Sequence, residues 1–322
     1  LEETGLAENT ILIFMTDNGT GYGLRDGRGY DGNMRGKKGS EYDGGHRVPF
    51  IIRWPDGEIE AGATVEELTA HIDVLPTLID LCELKAPEIN FDGSSLRDLL
   101  YTEGEDWPNR ALMVESQRVI DPIKWRKSSV MTNRWRLVNG VELYDLPNDP
   151  KQETDLASQY PELVERLRAD YEVFWADVSR EHDIISYMVI GSEQSPLVSL
   201  SSHDWLLDRL PAWDQVHIIN GDVAVEAYWA IEVEHDGEYE ISLRRWPVEA
   251  DKGINDGTYG KAFAYTQARL RIGSIDETKP IPEGAKEVTF SVFLTKGVTE
   301  LAPLFIGPDL QATPYYAYVT HK

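Results

Sequence analysis

The residue types most able to do chemistry are concentrated around one glycine-rich stretch near the start of the chain. Ten of the 26 glycines lie between Gly19 and Gly45, a density that excludes regular secondary structure and predicts a loop whose backbone comes close to another group. Asp17 and Asn18 stand directly before this stretch. A carboxylate beside an amide carbonyl offers the hard oxygen ligands that Ca²⁺ and Mg²⁺ prefer, although Asp-Asn-Gly taken alone is more often a tight turn.

The same stretch has a local balance of charge that differs from the rest of the chain. From Arg25 to Arg47 it holds six basic residues against four acidic ones, whereas the whole chain has a net charge of −25. This local positive excess favours an anionic ligand. Lys38 stands between Gly36 and Gly39. It is either a solvated loop lysine or a cation held over that anion, with the glycines allowing the backbone to approach.

The elements that must position these residues have the pattern of an α/β layer. Residues 11–15 and 48–54 form apolar, partly β-branched runs, which predicts strands buried on both faces of a parallel sheet. Apolar residues recur at helical spacing from Val65 to Leu84, and Pro76 favours a helix start nearby with Asp73 as its cap. The glycine-rich loop would then lie at the carboxyl end of a strand, where open α/β sheets bind ligands.

Two further regions follow this α/β part, which we assign to residues 1–110. Residues 111–183 combine short strand-like pieces with a helix starting at Pro161 and predict a small α+β subdomain. Residues 184–322 alternate apolar and polar residues and predict an all-β, sandwich-like domain. Two of its runs flank Asp236-Gly237, which predicts a hairpin. Its tryptophans are either core residues or platforms for sugar rings: Trp205, Trp213, Trp229 and Trp246.

Composition excludes several classes of protein. With 31 basic against 56 acidic residues among 322, the chain lacks the basic face that nucleic acid requires. No run approaches the roughly 18 apolar residues of a membrane span. Cys82 is the single cysteine, so it cannot form an internal disulfide, and we expect it to be a buried thiol.

Together, three blocks of sequence resemble the arylsulfatase family of the alkaline phosphatase superfamily. The most specific block is Arg35-Gly36-Lys37-Lys38-Gly39-Ser40-Glu41-Tyr42-Asp43-Gly44-Gly45-His46-Arg47-Val48-Pro49; the other two cover residues 9–19 and 71–78. The resemblance extends to the Glu142-Leu143-Tyr144-Asp145 region and is firm for about residues 5 to 180. It implies a partial alkaline-phosphatase-like sheet layer followed by the subdomain and the β domain described above.

The resemblance also implies site residues and a cofactor. Asp17 and Asn18 would be ligands of an active-site Ca²⁺, and Lys38 would contact the sulfate group and neutralise its charge during catalysis. His46 would either face the substrate or be a packed loop histidine. The substrate would be a sulfated small molecule or carbohydrate, and the enzyme would be periplasmic or secreted, as many bacterial members are.

The chain departs from the family pattern in one respect that bears on catalysis. Sulfatases use a formylglycine made from cysteine or serine in a Cys/Ser-x-Pro-x-Arg motif, which normally precedes the Asp-Asn-Gly strand. Cys82 is followed by Glu83, Leu84, Lys85 and Ala86, and no serine has the required spacing. We therefore expect this chain to be the C-terminal portion of a longer sulfatase and to be inactive alone.

Two alternatives remain open at this stage. A phosphodiesterase or phosphonate monoester hydrolase of the same superfamily would carry similar blocks, because sulfate and phosphate esters are nearly isosteric. A non-catalytic carbohydrate-binding protein would depend instead on the aromatic residues of the β domain. The upstream nucleophile and metal ligands would distinguish the first alternative from a sulfatase.

Overall fold

The structure is a computed structural model that describes residues 1–24, 27–101, 107–117, 119–207, 211–221 and 227–322. The chain divides into two compact units. The first comprises Leu1–Gln117 with Ile123–Arg180, and the second comprises Arg118–Pro122 with Glu181–Lys322. The first unit mixes helices and sheets and the second is almost entirely β, which confirms the predicted fold class. The three-part division at residues 110 and 183 stays a prediction.

Among its described residues, the first unit contains six strands and four helices. Its strands are β1 (Leu12–Met15), β2 (Phe50–Arg53), β3 (Leu112–Glu115), β4 (Ser128–Met131), β5 (Trp135–Val138) and β6 (Glu142–Asp145). Its helices are α1 (Asp43–His46), α2 (Val74–Leu81), α3 (Arg97–Tyr101) and α4 (Pro161–Val178). Short 3₁₀ helices lie at Glu2–Thr4, Tyr22–Leu24, Pro55–Gly57, His71–Asp73 and Ser179–Glu181.

The strand that precedes the glycine-rich loop is not arranged as the sequence predicted. β1 and β2 pair antiparallel, with Leu12 opposite Arg53 and Met15 opposite Phe50. Phe14 and Ile51 are each 60% exposed, so the expectation of parallel strands buried on both faces is wrong. The sheet has only these two strands, and within the described residues no further strand extends it.

Helix α2 begins near the expected place, but its cap differs from the prediction. It starts at Val74, and Asp73 makes no side-chain capping bond to it. Instead the buried Asp73 carboxylate accepts bonds of 2.8 and 2.5 Å from Arg110 and one from the backbone N–H of Ala70. A buried carboxylate needs a charged partner more than a helix needs a cap, because an unpaired buried charge is very costly.

Strands β3 to β6 form an antiparallel meander packed against α4. The order is β3-β4-β5-β6, and the core between this sheet and the helix comprises Val130, Leu137, Leu143, Val164, Leu167 and Tyr171. Pro161 occupies the first turn of α4, where its missing N–H costs no hydrogen bond. The predicted strand-like pieces are confirmed as β3, β4 and β5, and the helix starts at Pro161 as predicted.

The second unit is a sandwich of two sheets around one core. Its strands are β7 (Met188–Ile190), β8 (Leu197–Ser201), β9 (Trp229–Val233), β10 (Gly237–Arg244), β11 (Gln267–Ile272), β12 (Ile275–Pro280), β13 (Val288–Leu294), β14 (Gly297–Leu301), β15 (Leu304–Ile306), β16 (Gln311–Ala312) and β17 (Tyr316–His321). Helix α5 is Gln215–Asn220, and 3₁₀ turns lie at Ser202–Asp204 and Val248–Ala250. One sheet has the order β13-β10-β17-β8, and the other β16-β15-β11-β14-β9-β7 with β12 beside β11.

The predicted hairpin around Asp236-Gly237 is wrong. β9 pairs with β14 and β7, whereas β10 pairs with β13 and β17. The two strands therefore lie in opposite sheets, and Asp236-Gly237 is the crossing between them. Both strands alternate apolar and polar residues because each turns one face to the shared core, so the alternation indicates burial without identifying the partner strand.

Burial decides one open alternative and corrects one prediction. Trp205, Trp229 and Trp246 are 4%, 0% and 5% exposed, and only Trp213 of the four tryptophans is substantially exposed, at 40%. Three of them are therefore core residues and not sugar platforms. Cys82 follows the end of α2 and is exposed, so the expectation of a buried thiol is wrong. Within the described ranges, no helix is both long and apolar enough to cross a membrane.

We predict that residues 184–322 fold independently, because the core of this sandwich draws its residues from the second unit alone. The isolated segment should show a β-type circular dichroism spectrum and one cooperative unfolding transition. Within it, Trp229→Ala should lower the free energy of unfolding by about 3 to 5 kcal/mol, because it leaves a cavity in the core. Trp213→Ala, at an exposed position, is the matched control. A disordered product would contradict independent folding.

Candidate functional site

Three segments of the glycine-rich loop are joined by backbone hydrogen bonds. The N–H of Gly19 donates to the carbonyl of Gly45 over 2.9 Å, and the N–H of Lys38 donates to the carbonyl of Thr20 over 3.1 Å. The N–H of Gly44 donates to the carbonyl of Arg35 over 2.8 Å. The loop therefore brings the backbone at Asp17–Asn18, at Lys38 and at His46 into one local structure.

The glycines in this loop are required by the close packing of its own segments. A Cβ atom placed on Gly19 would lie 1.8 Å from the carbonyl oxygen of Gly44, and one on Gly45 would lie 2.1 Å from that of Ser40. No side chain can be accommodated at such distances. The close approach predicted from the glycine content is thus, at these two positions, an approach of the loop to itself.

Asp17 and Asn18 lie directly after β1 and offer two side-chain oxygens of the kind a hard cation binds. Asp17 is exposed, and the Asn18 amide donates a hydrogen bond to the Asp17 carboxylate. The ring of His71 bonds the carbonyl of Thr16 over 2.8 Å, which fixes the backbone just before this pair. In the described part of the chain, no group of three His, Cys, Asp or Glu side chains is placed to hold a metal, and a metal role for Asp17 and Asn18 stays a prediction.

The basic residues of the loop divide into two kinds. Arg35 and Arg47 contact protein groups, whereas the exposed Arg28, Lys37 and Lys38 form no ion pair with any described residue. The stem of Lys38 lies near Gly21, where a Cβ would be 3.5 Å from its Cδ. Arg25 belongs to the basic excess counted in the sequence, but it lies outside the described residues. The positive charge available to a ligand from the described residues is therefore that of Arg28 and the two lysines.

Arg35 anchors the loop to the meander sheet. Its guanidinium donates to the carbonyl of Gln152 over 2.8 Å and to the hydroxyls of Tyr144 and Tyr42 over 3.0 and 2.9 Å. Both hydroxyls in turn donate to the Glu142 carboxylate. Burial and the bond to Glu142 raise the pKa of Tyr42 to about 12, so this tyrosine stays protonated and keeps donating at neutral pH.

Asp43 makes the second connection between the loop and the meander. Its carboxylate is fully buried and accepts a 2.8 Å bond from Nε of Arg136 on β5, and its own N–H donates to the buried Gln152 side chain over 2.9 Å. Burial opposes ionisation of this carboxyl, but the neighbouring His46 and the charge of Arg136 outweigh that effect and lower the pKa of Asp43 to about 2. At 3.6 Å, His46 is beyond hydrogen-bond distance, so Arg136 is the principal partner.

His46 is only 13% exposed at its side chain, and its ring nitrogens are buried without a hydrogen-bond partner in the described ranges. This position fits the packed loop histidine better than a group open to solvent. Contact between His46 and a substrate stays a prediction, as do the roles of Asp17, Asn18 and Lys38.

Sequence reasoning missed the residues that hold the loop in place. Arg35 was counted only as part of a positive patch, and Asp43 only as an acidic residue opposing it. The lone sign of their structural role was their position in the glycine-lysine block. Arg136 and Gln152 are remote in sequence, and no pattern in the chain indicates that they meet Asp43.

Comparison with known proteins gives the class of this arrangement. Residues 1–84 match the sulfatase family model. The chain is 31% identical over 196 residues to an N-acetylgalactosamine-6-O-sulfatase of Bacteroides thetaiotaomicron, covering 52% of this chain and 36% of that protein. It is 30% identical over 199 residues to human arylsulfatase A, covering 52% and 38%, and 33% identical over 137 residues to mouse steryl-sulfatase, covering 41% and 22%.

The matched part of this chain is similar to sulfatases, which confirms the resemblance predicted from its motifs. The chain spans between 22% and 38% of the length of these curated relatives. The names of two of these relatives identify sulfate esters of a sugar and of a steroid as substrates of those proteins.

We predict that Asp43→Asn lowers the free energy of unfolding by about 3 kcal/mol, because it leaves the buried Arg136 without a charged partner. The folded pKa of about 2 lies below the unfolded value of 3.8, so ionised Asp43 stabilises the protein above about pH 4. That contribution is lost as the pH falls from about 4 towards 2.

Urea unfolding of wild type and variant between pH 2 and pH 7 measures this effect. The difference between the two proteins should shrink on acidification, and Asp56→Asn, at an exposed carboxylate of the same unit, should change little. A difference that is constant over this pH range would contradict the assignment.

Proposed function

We propose that this chain forms part of an enzyme that hydrolyses sulfate esters. The observation that carries the proposal is the exposed ammonium group of Lys38, which forms no ion pair with a described residue and lies on a tightly packed glycine loop inside the stretch that matches the sulfatase family model. The same loop carries the adjacent oxygens of Asp17 and Asn18. The ammonium group of Lys38 and a cation held by Asp17 and Asn18 would both stabilise the negative charge that the oxygens of a sulfate ester gain during cleavage.

The roles of the individual residues follow from this placement. Lys38 would bind a sulfate oxygen as a point charge, and its position would be set by the backbone bond from its own N–H to Thr20. Asp17 and Asn18 would hold Ca²⁺ through a carboxylate and an amide oxygen. When bound, this ion supplies positive charge that stabilises the sulfate oxygens. The sequence contains no Cys/Ser-x-Pro-x-Arg motif, so we propose that a formylglycine nucleophile would come from another segment of the protein.

The substrate class that we propose is a sulfated carbohydrate. This proposal is supported by the name of one relative, an N-acetylgalactosamine-6-O-sulfatase that aligns with 52% of this chain. The family resemblance also favours a periplasmic or secreted enzyme. Both statements concern the whole protein and stay proposals.

We predict that the complete polypeptide hydrolyses 4-nitrophenyl sulfate and that Lys38→Ala lowers kcat/KM about a hundredfold, the usual cost of removing one group that stabilises a developing charge. Lys38→Arg should cost less, because arginine keeps the charge while changing its reach and shape. Release of 4-nitrophenolate measures both effects.

Lys37→Ala is the matched control, since Lys37 is the exposed neighbouring lysine and should be close to wild type. Residues 1–322 alone should show no turnover, because this sequence lacks the nucleophile motif. Full activity of Lys38→Ala, or turnover by residues 1–322 alone, would overturn the assignment.

We also predict that Asp17→Asn weakens calcium binding by the complete polypeptide. The substitution removes one negative charge from the ligand set while keeping nearly the same shape. Isothermal titration with CaCl₂ should show at least about a tenfold weaker Kd, and Asp56→Asn should bind calcium as wild type does. Unchanged calcium affinity in Asp17→Asn would contradict the proposal that Asp17 binds Ca²⁺. It would leave the proposed sulfate-binding role of Lys38 unaffected.

A further inference from the structure

The second unit contains a long connection that is ordered without being part of either sheet. It comprises residues 245–266, between β10 and β11, and its one regular element is the 3₁₀ turn Val248–Ala250. Ile254 is fully buried and Tyr265 is 4% exposed, so the connection is packed onto the sandwich. Connections longer than about 12 to 15 residues without secondary structure are uncommon in compact domains and are usually functional when ordered.

A buried arginine fixes the shape of this connection. Arg245 is 1% exposed, and its guanidinium carbon lies 4.4 Å from the ring centroids of both Trp246 and Phe263. Its two terminal nitrogens donate to the carbonyls of Asp256 and Ile218 over 2.9 and 3.2 Å. One side chain thus ties both ends of the connection to α5.

This buried cluster supports an exposed aromatic ring flanked by a lysine. Tyr259 is 54% exposed, and its ring centroid lies 5.7 Å from that of Trp246. The ammonium group of Lys252 lies 5.4 Å from the Tyr259 ring, and that of Lys261 lies 5.3 Å from the Phe263 ring. The connection therefore presents a flat ring together with two ammonium groups.

These two lysines are available to a ligand. Neither forms an ion pair with a described residue, although the unit is rich in carboxylates. The other basic residues of the unit include four that are paired, in Arg244–Glu287, Arg269–Asp276, Lys286–Asp251 and Lys322–Glu240. Nearby acids are engaged elsewhere, because Asp251 pairs with Lys286 and Asp256 accepts bonds from the backbone and hydroxyl of Thr258.

We propose that Tyr259, Lys252 and Lys261 of the second unit form a binding site for a sulfated carbohydrate. The exposed tyrosine ring packs against the apolar face of a pyranose, and the ammonium groups bind its sulfate. The proposal concerns retention of the sugar and involves no reaction. It stands on the geometry of the second unit alone, so it does not depend on sulfatase activity.

The test is isothermal titration of residues 1–322 with a chondroitin 6-sulfate hexasaccharide and with its desulfated counterpart. The sulfated sugar should bind more tightly, and its affinity should fall as salt rises. Tyr259→Ala should weaken binding at least about fivefold, the typical worth of one aromatic contact, whereas Tyr259→Phe should retain it. Replacing both lysines, Lys252→Gln with Lys261→Gln, should abolish the preference for the sulfated sugar.

Matched controls keep the result specific to this site. Tyr187→Ala and Lys296→Gln change exposed residues of the same unit and should leave the affinity unchanged. Lys38→Ala removes the other proposed anion-binding lysine and should also leave it unchanged. Absence of binding at millimolar sugar, or binding that survives Tyr259→Ala and the double lysine substitution in folded protein, overturns the proposal. Either result leaves the proposed function intact, because no tested residue of this site belongs to the glycine-rich loop.

Discussion

A carboxylate without access to water must find its positive partner within the protein, and for Asp43 that partner is Arg136. The two residues are far apart in the chain, yet Nε of Arg136 lies 2.8 Å from Oδ1 of Asp43. Since Asp43 opens the short helix α1 that follows Lys38, this ion pair fixes where the end of the glycine-rich loop meets the meander sheet. Gln152 strengthens the same connection by accepting the Asp43 N–H.

Once this end of the loop is fixed, its packing determines the rest. The bonds from Gly44 to Arg35 and from Gly19 to Gly45 join the loop to the residues that follow β1, and glycine at these places permits backbone distances that any Cβ would prevent. Asp17 and Lys38 can therefore be exposed without being loosely placed. Their side chains are exposed, while the neighbouring backbone is held by hydrogen bonds between segments of the loop.

The sequence was most informative where a pattern depends on one element alone. The apolar spacing of α4 and its Pro161 follow from helix geometry, and β3 to β6 have the composition of short strands. Partners were not predictable in the same way. The alternation of apolar and polar residues in Trp229–Val233 and in Gly237–Arg244 correctly predicted two strands. It could not show that these two strands lie in opposite sheets, because strands on either side of a shared core have the same alternation.

The candidate site shows the same limit at the level of side chains. The glycine-lysine block identified the loop and its family, because its spacing reflects a backbone that only glycine can form. The basic count in this block overestimated the charge open to a ligand, since Arg35 is bonded to Tyr42, Tyr144 and Gln152. A sequence records the charge of an arginine but not the tyrosines and carbonyl that satisfy it after folding.

In a chain of net charge −25, carboxylates outnumber basic groups. An ammonium group that forms no ion pair with a described residue therefore requires a structural cause. Two causes are present in this protein. Lys38 lies on a loop backbone that its own N–H joins to Thr20, and the buried acidic residue of this loop, Asp43, is already paired with Arg136. Lys252 and Lys261 lie against aromatic rings, which attract the ammonium group without neutralising it. Both arrangements keep a positive charge available to an anion from solvent, and they do so without making the protein basic.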